Sequence, residues 1–233
     1  MTTLTEEQLD VIRQKSTEDM TEEEIAALPD YDKAIRGIIY DPSIYNGEWY
    51  ATQVWQHLWI QKMMGWLAGE FGPFESSLDL GAGDTYYSTV LAEMGAEATA
   101  IEVSEDVFSF VAEGVNGIVH DLRRPLDLGR KFDLVVCLEV AEHIPEESSD
   151  TLCDTLARHC GGILIFTAAL PGQGGHGHCN LQPFEFWQSR LEERGLSFYP
   201  QATIQIRQAW LNILGKELPW LSKNVTIFGG LDG

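Results

Sequence analysis

Basic residues are scarce in this chain of 233 residues, which has 15 lysines and arginines against 36 aspartates and glutamates. The formal net charge is −21. Phosphate backbones are bound largely by lysines and arginines that displace condensed counterions, so the average field of this surface repels them. The basic pairs Arg123-Arg124 and Arg130-Lys131 are interpreted as solvated loop charge. Nucleic acid is therefore disfavoured as a partner.

Long hydrophobic runs are also missing, and no stretch of eighteen apolar residues occurs. Met1–Asp10 is acidic and polar, unlike a secretory signal. We therefore expect a cytoplasmic protein with no membrane partner. The cysteines are few and lack CxxC spacing: Cys137, Cys153, Cys160 and Cys179. This spacing predicts free thiols.

The length fits one globular domain with additional segments better than two independent cores. Thr5-Glu6-Glu7-Gln8 and Thr21-Glu22-Glu23-Glu24 match the capping box and predict two short helices. The segment from Glu48 to Phe71 is too broadly apolar for a surface helix, so we expect it to pack against the main domain. Residues 1–72 are thus predicted to be an N-terminal helical extension that forms a substrate lid, and residues 73–233 the main domain.

From Phe74 onward, short apolar runs alternate with helical stretches. Strands are predicted at Ser77–Leu80, Ala98–Val103, Gly117–His120, Phe132–Glu139, Gly162–Thr167, Leu196–Ile206 and Lys223–Phe228. Helices are predicted at Tyr86–Met94, Glu105–Glu113, Glu147–His159 and Pro183–Glu193. The alternation predicts an α/β fold in which right-handed crossovers connect the strands of a parallel sheet.

The first chemical signal is a glycine-containing turn, Leu78-Asp79-Leu80-Gly81-Ala82-Gly83-Asp84-Thr85, after the first predicted strand. Glycines at such a turn let the backbone approach a ligand closely, and the helix that follows offers unpaired amides. Glu102 ends the second predicted strand about twenty residues later. A carboxylate there can accept hydrogen bonds from both ribose hydroxyls of a nucleoside cofactor.

This turn resembles the first motif of class I S-adenosylmethionine-dependent methyltransferases, an acidic residue followed by GxGxG. Asp79, Gly81 and Gly83 match the motif, whereas Thr85 replaces its third glycine. A dinucleotide enzyme shares the turn, but a pyrophosphate needs the third glycine-like position, whereas Asp79 and Asp84 suit a cationic sulfonium and amino group. The resemblance implies S-adenosylmethionine as cofactor and a Rossmann-like fold, with a mostly parallel seven-stranded sheet flanked by helices.

The likeness spans roughly Ser77 to Thr167. Within it, Asp121 follows the third predicted strand and is similar to the acidic residue that binds the adenine amino group in the family. By this resemblance, the candidate cofactor-binding residues are Asp79, Gly81, Gly83, Glu102, Asp121, Leu122 and Leu138.

The second chemical signal is Glu139-x-x-Glu142-His143 after the fourth predicted strand. Spacings of three and four place these side chains on one face if the segment turns helically at the carboxyl edge of the sheet. His176 and His178 lie downstream in a glycine-rich loop that can bring them close to a ligand. Carboxylates combined with imidazoles suit a divalent ion such as Mg²⁺, Mn²⁺, Fe²⁺ or Zn²⁺.

This combination resembles the metal-dependent 2′-O-methyltransferases of small-RNA 3′ ends and the ubiquinone-pathway O-methyltransferases. In the RNA enzymes a further histidine precedes a Phe-Glu-Trp-like sequence, as His176 and His178 here precede Phe184-Glu185-Phe186-Trp187. The resemblance makes the following residues candidate metal ligands: Glu139, Glu142, His143, and one of His176 or His178. The ion would bind adjacent hydroxyls of the acceptor and lower the pKa of the one that attacks.

A metal-free interpretation stays open, because the Glu-His-Ile-Pro run also occurs in methyltransferases where the histidine acts as general base or caps the loop. His143 and Glu142 are therefore the candidate catalytic residues. Candidates for the walls of the acceptor pocket, or for ordinary packing, are Trp49, Tyr50, Trp210 and Trp220. His57 and His159 are expected to be structural.

The predicted function is methylation of a small-molecule acceptor, most plausibly on oxygen, with a vicinal diol or catechol favoured if a metal binds. The alternatives are a different reaction of the same cofactor, a non-catalytic cofactor-binding subunit, and RNA modification. The carboxylates and histidines of the second signal argue against the non-catalytic subunit, which would not need them at the edge where the methyl group lies.

Overall fold

A mixed sheet runs through the computed structural model, which describes residues 5–230. Its strands are β1 (Ser76–Leu80), β2 (Glu97–Glu102), β3 (Val115–Val119), β4 (Phe132–Cys137), β5 (Cys160–Phe166), β6 (Leu196–Phe198) and β7 (Thr226–Gly230). Their order is β3-β2-β1-β4-β5-β7-β6, in one seven-stranded sheet. Strands β1 to β5 pair in parallel, whereas β7 is antiparallel to both β5 and β6. The predicted mostly parallel, Rossmann-like sheet is confirmed.

Helices precede the sheet and cover its two faces. Those of the described residues are α1 (Glu6–Arg13), α2 (Glu22–Ala27), α3 (Asp30–Ile35), α4 (Gly47–Ala51), α5 (His57–Phe71), α6 (Tyr86–Glu93), α7 (Ser149–His159), α8 (Phe184–Glu192), α9 (Pro200–Leu214) and α10 (Pro219–Asn224). The capping boxes predicted at Thr5 and Thr21 both form, and each begins its helix. No helix within residues 5–230 combines the length and the apolar composition that a bilayer crossing requires.

Three predicted elements differ from the structure. Glu105–Glu113 forms only a 3₁₀ helix over Glu105–Phe110, not an α-helix. The predicted strand Leu196–Ile206 ends at Phe198, because Pro200 occupies the first turn of α9, where its fixed φ and missing N–H suit a helix start. The last strand begins later than predicted, at Thr226, since Pro219 starts α10 in the same way.

The core lies on both faces of the sheet, because alternate residues of the central strands point to opposite sides. On β4, Val135 belongs to the cluster that includes Trp187 of α8, whereas Leu134 belongs to the cluster that includes Met63 of α5 and Trp210 of α9. Burial of α5 in this second cluster fixes the end of the N-terminal extension to the sheet. The residues just before α5 are thereby held at the carboxyl edge of the strands, where the cavity described below opens.

Candidate active site

A cavity of about 330 Å³ opens at the carboxyl edge of the sheet. Residues predicted to bind the cofactor line it: Asp79, Gly81, Gly83, Glu102, Leu122 and Leu138. Residues predicted to bind a metal also line it: Glu139, His143, His176 and His178. The N-terminal extension contributes aromatic side chains, namely Tyr40, Tyr45, Trp49 and Tyr50. The two chemical signals of the sequence therefore meet in one continuous space.

The turn after β1 has a backbone that brings it close to the cavity. Gly81 has φ +77°, and a Cβ there would lie 2.5 Å from a methyl carbon of Val140, so the position requires glycine. Thr85, which replaces the third glycine of the resembling motif, also has a left-handed conformation, with φ 63° and ψ 12°. The turn therefore keeps a left-handed residue at that position, at a conformational cost that a glycine would not incur.

Asp79 is buried at the base of this turn, and its carboxylate accepts a hydrogen bond of 3.0 Å from the hydroxyl of Ser88. Burial raises the pKa of Asp79 to about 7, and this effect exceeds the opposing effect of the Ser88 hydrogen bond. Among the described residues, no lysine or arginine forms an ion pair with Asp79. A cationic ligand group beside it would supply the missing counter-charge.

Glu102 ends β2 with its carboxylate held by backbone amides. It accepts hydrogen bonds from the N–H groups of Gly83 at 3.0 Å and Val103 at 2.7 Å. The hydroxyl of Tyr50 also interacts with this carboxylate and lowers its pKa. Burial has the larger effect and raises the pKa of Glu102. The carboxylate is thus held by backbone amides in a position from which it can accept hydrogen bonds from a ligand.

Asp121 differs from the other predicted cofactor residues because its carboxylate binds Arg123 and it does not line the cavity. Both of its carboxylate oxygens accept hydrogen bonds from Arg123, with Oδ2 and Nη2 2.6 Å apart, and the guanidinium of Arg123 stacks on the ring of Tyr40. Asp121 is not among the residues that line the cavity, whereas its neighbour Leu122 is. Its contact with an adenine amino group stays a prediction, and such a contact would have to share or replace the Arg123 ion pair.

Glu142, His143 and His178 form the densest group of donor atoms in the cavity region, and one ligand atom from each lies within 4.8 Å of the others. Nε2 of His178 is 4.0 Å from Oε1 of Glu142. Neither oxygen of the fully buried Glu142 carboxylate accepts a well-formed hydrogen bond. Burial, together with the nearby Glu139, raises the pKa of Glu142 well above its usual value, although the amides of Glu142 and Ala169 act in the opposite direction. A proton or a cation is needed to neutralise such a group.

Glu139 follows β4 in a left-handed conformation with φ 56°, and its N–H donates to the hydroxyl oxygen of Thr167 at 2.7 Å. Its Oε1 is buried without a hydrogen-bond partner, and burial raises its pKa to about 7. His176 also has a buried ring nitrogen, Nε2, without a partner, and its ring stacks on Trp49 with centroids 4.1 Å apart. Three of the five predicted ligands therefore converge. Within this group His143 and His178 line the cavity and Glu142 is buried behind its lining, while Glu139 and His176 line the cavity outside the group.

Burial favours the neutral form of three of the four histidines that line the cavity, namely His143, His176 and His178. Burial lowers the pKa of His143 to about 3, with a further contribution from His178, and burial also lowers the pKa of His176 and His178. Among the described residues, neither Glu139 nor Glu142 forms an ion pair with a lysine or arginine. Carboxylate and neutral imidazole donors without a cation fit a divalent metal ion.

Residues 53–207 match a family model described as a methyltransferase domain. The chain belongs to this family. The identification as a class I S-adenosylmethionine-dependent methyltransferase is thereby confirmed. The cavity-lining residues before position 53, including Tyr45, Trp49 and Tyr50, lie outside the matched range.

Curated relatives are similar to part of this methyltransferase chain. The ubiquinone biosynthesis O-methyltransferase of Pseudomonas paraeruginosa is 29% identical over 118 residues, which cover 47% of this chain and 48% of the relative. That of Pseudomonas fluorescens is 31% identical over 99 residues, which cover 39% of this chain and 40% of the relative. The chain thus matches less than half of the length of these curated relatives.

Solved structures share the fold of the methyltransferase. Magnesium protoporphyrin IX methyltransferase from Synechocystis aligns with a TM-score of 0.50 and 22% identity, over 74% of this chain and 80% of that chain. A TehB-like methyltransferase from Corynebacterium glutamicum aligns with a TM-score of 0.52 and 18% identity, over 68% of this chain and 86% of that chain. At these identities the likeness concerns the fold alone.

Tyr45 lines the cavity and was missed by the sequence interpretation. The hydroxyl of Tyr45 lies 2.8 Å from Nδ1 of His143 and 2.8 Å from the carbonyl oxygen of His176. Tyr45 precedes His143 by 98 positions and follows no motif, so only the richness of the extension in aromatic residues pointed toward it.

The histidines expected to be structural have well-defined partners. Nε2 of His57 lies 2.6 Å from Oδ2 of Asp84, and its ring stacks on Tyr86, so His57 connects the start of α5 to the glycine-containing turn. His159 is fully buried, and its two ring nitrogens bond the carbonyl of Thr155 and the amide of Leu128.

The four candidate wall residues divide into two groups. Trp49 and Tyr50 line the cavity of the methyltransferase, as one of the two interpretations expected. Trp210 is completely buried in the core beside α5, and Trp220 is 37% exposed on α10, so neither lines the cavity. The wall role is wrong for these two, because α9 buries Trp210 in the core and α10 leaves Trp220 at the surface.

Proposed function

We propose that this chain is an S-adenosylmethionine-dependent methyltransferase that methylates an oxygen atom of a small-molecule acceptor with the help of a divalent metal ion. One observation carries the proposal: Glu142, His143 and His178 converge, and two of them, His143 and His178, line the cavity that Asp79 and Glu102 also line. The cofactor residues and the donor cluster are thus close enough for one reaction. The names of the curated relatives, ubiquinone biosynthesis O-methyltransferases, support an oxygen acceptor.

In the proposed complex, Glu102 accepts hydrogen bonds from the ribose hydroxyls, and Gly81 and Gly83 allow the backbone to approach the cofactor closely. Asp79 faces the cationic part of the cofactor, since it is a buried carboxylate without a basic partner among the described residues. Leu122 and Leu138 supply apolar contacts along the same wall. Direct displacement at the methyl carbon needs little else than alignment of the acceptor with the methyl group and exclusion of water.

The chain's own residues have separate tasks in the proton transfer. Glu142, His143 and His178 would hold the metal, with Glu139 and His176 close enough to the cavity to orient the acceptor or complete the ligand set. When bound, a divalent ion lowers the pKa of a coordinated hydroxyl. A pair of adjacent hydroxyls, as in a catechol or another vicinal diol, is the acceptor chemistry that this arrangement favours.

The metal-free alternative makes His143 the general base. Its pKa of about 3 argues against this role, because a base so far below the working pH has little driving force to remove a hydroxyl proton. RNA as acceptor is disfavoured by the net charge of −21. The extension is proposed to act as the lid, because Tyr45, Trp49 and Tyr50 all reach the cavity from residues 1–72.

Thermal unfolding of chelator-treated protein tests the proposal. We expect S-adenosylhomocysteine to raise the Tm, since a ligand that binds only the native state stabilises it, and a divalent ion to raise it further. His143→Ala and His178→Ala should retain the first increase and lose the second. Glu147→Gln is the control, because Glu147 is exposed and does not belong to the group formed by Glu142, His143 and His178. It should retain both increases in Tm.

Each outcome of this experiment has a distinct meaning. If S-adenosylhomocysteine raises the Tm but no divalent ion raises it further, metal assistance is contradicted. His143 would then be the candidate general base. No response to the nucleoside would contradict the proposed activity as a whole. The proposed acceptor class, a catechol or another vicinal diol, would be supported if the protein methylates a catechol but not the corresponding monohydroxy compound. This turnover should be lost with chelator and restored by metal.

A further inference from the structure

Tyr45 connects two of the cavity histidines through a single hydroxyl group. We propose that this hydroxyl sets the tautomer of His143, so that Nδ1 carries the ring proton and Nε2 keeps its lone pair for the cavity. Tyr45 is therefore a positioning residue that acts through His143. The consequence for metal binding rests on the proposed function, whereas the tautomer itself does not.

The argument starts from the proton count of the hydroxyl. Its oxygen lies 2.8 Å from the carbonyl oxygen of His176 and 2.8 Å from Nδ1 of His143. A carbonyl oxygen can only accept, so the single hydroxyl proton must point toward His176. The second contact is then a hydrogen bond only if Nδ1 is the donor. Nδ1 is therefore protonated, and a neutral imidazole has its lone pair on Nε2.

The opposite assignment is unfavourable. If the hydroxyl donated to Nδ1, its oxygen lone pairs would face those of the His176 carbonyl at 2.8 Å, with no proton between the two atoms. Two buried acceptor oxygens that face each other without a proton destabilise the structure by more than a typical hydrogen bond stabilises it. The hydroxyl also keeps its proton, because burial raises the pKa of Tyr45 well above its usual value.

The surrounding backbone allows the hydroxyl to reach both partners. Gly177 lies between the two loop histidines with φ +72°, and a Cβ there would overlap the hydroxyl oxygen of Tyr45. The ring of Tyr45 packs edge-on against the rings of His143 and His176, with centroids 5.1 Å and 5.7 Å apart. The tyrosine thus holds the turn after β4 and the loop after β5 in a fixed relation.

The tautomer determines which nitrogen can act. His143 lines the cavity and has the backbone of Gly177 beside it, while its hydrogen bond to Tyr45 uses Nδ1. In the proposed tautomer the lone pair of Nε2 is therefore available. A metal ion binds an unprotonated ring nitrogen, and partners of the other nitrogen orient the ring. Without Tyr45, a proton on Nε2 would block that atom in part of the molecules.

Nitrogen NMR of the chelator-treated full chain tests the tautomer directly. Long-range ¹H–¹⁵N spectra at neutral pH distinguish protonated from unprotonated ring nitrogens, and His143→Gln identifies the signals of His143. We expect Nδ1 protonated and Nε2 unprotonated in the wild type, and a shift toward the other tautomer in Tyr45→Phe. Tyr31→Phe makes the same chemical change at an exposed tyrosine and should leave the spectrum of His143 unaltered. Nε2 protonated in the wild type, or an unchanged tautomer in Tyr45→Phe, would overturn the inference.

A cobalt titration measures the consequence. We expect Tyr45→Phe to weaken Co²⁺ binding by about ten-fold, the usual effect of removing a partner of a metal-binding histidine, while Tyr31→Phe binds as the wild type does. Wild-type protein that binds no Co²⁺, but shows the protonated Nδ1, would contradict the proposed metal site and retain the tautomer inference. Equal Co²⁺ affinity of wild type and Tyr45→Phe would overturn the positioning role.

Discussion

The hydroxyl of Tyr50 interacts with the carboxylate of Glu102 across the boundary between the N-terminal extension and the sheet, and this interaction opposes the rise in pKa that burial causes at Glu102. The ring of Tyr50 also lies against the glycine-containing turn, since a Cβ on Gly83 would be 3.1 Å from its Cε1 atom. Tyr50 therefore occupies space beside the carboxylate that is proposed to bind the ribose. Cofactor and Tyr50 should compete for Glu102.

We expect Tyr50→Phe to bind S-adenosylhomocysteine more tightly, by about three- to ten-fold, because the hydroxyl no longer competes with the cofactor for Glu102 and the interaction is about the size of one ordinary hydrogen bond. Isothermal titration calorimetry measures the difference. Glu102→Ala should weaken binding in the same assay. A weaker complex with Tyr50→Phe would instead mean that the hydroxyl assists the bound cofactor.

Gly81→Ala should abolish nucleoside binding and lower the free energy of unfolding, because a Cβ would meet Val140 at 2.5 Å. Gly129→Ala is the matched control, since Gly129 has a similar φ of +67° but open space around its Cβ position. Both variants incur the left-handed strain of about 1–2 kcal/mol, and the overlap adds about 1–3 kcal/mol in Gly81→Ala alone. Equal Tm values and equal nucleoside affinities for the two variants would contradict the close approach.

Asp79 should make the unliganded protein less stable as the pH rises. Its pKa is about 7 in the folded chain, against the ordinary value of 3.8 for an aspartate, so between these two pH values the folded state binds the extra proton. The stabilisation is complete below about pH 4 and is lost as the pH rises through about 7, with a total of up to about 4 kcal/mol. Asp79→Asn should remove this contribution, which urea titrations of both proteins from pH 5 to 8 measure as a difference. Parallel pH profiles would contradict the raised pKa.

Glu142→Gln should stabilise the chelator-treated protein at pH 8 by about 1–2 kcal/mol, while it removes the stabilisation by a metal. The neutral amide replaces a carboxylate that is fully buried without a well-formed hydrogen bond, so the cost of burying a charge is removed. Substitutions of active-site residues typically increase stability at the expense of function. Denaturant unfolding with chelator and with metal measures both effects. A large loss of stability with chelator would mean that Glu142 has a structural role.

Much of the site was predictable because its parts are local. The turn around Gly81, the acidic end of β2 and the Glu139-x-x-Glu142-His143 run each lie at the end of a strand, and parallel strands bring their carboxyl ends to one edge. His178 was predicted only as one of two choices, and the structure places it, not His176, in the converging group. Loop conformation decides that choice, and loop composition does not encode it strongly.

The sequence by itself determined the period of the strands, the helix starts at Thr5 and Thr21, and the order of the chemical groups along the chain. These features depend on neighbours a few residues apart. Only the tertiary structure decided that Tyr45 reaches His143, that the guanidinium of Arg123 lies over the ring of Tyr40, and that Trp210 lies in the core. Hydrophobic patterning indicates that a face is buried, but the partner across that face follows from how the whole chain packs.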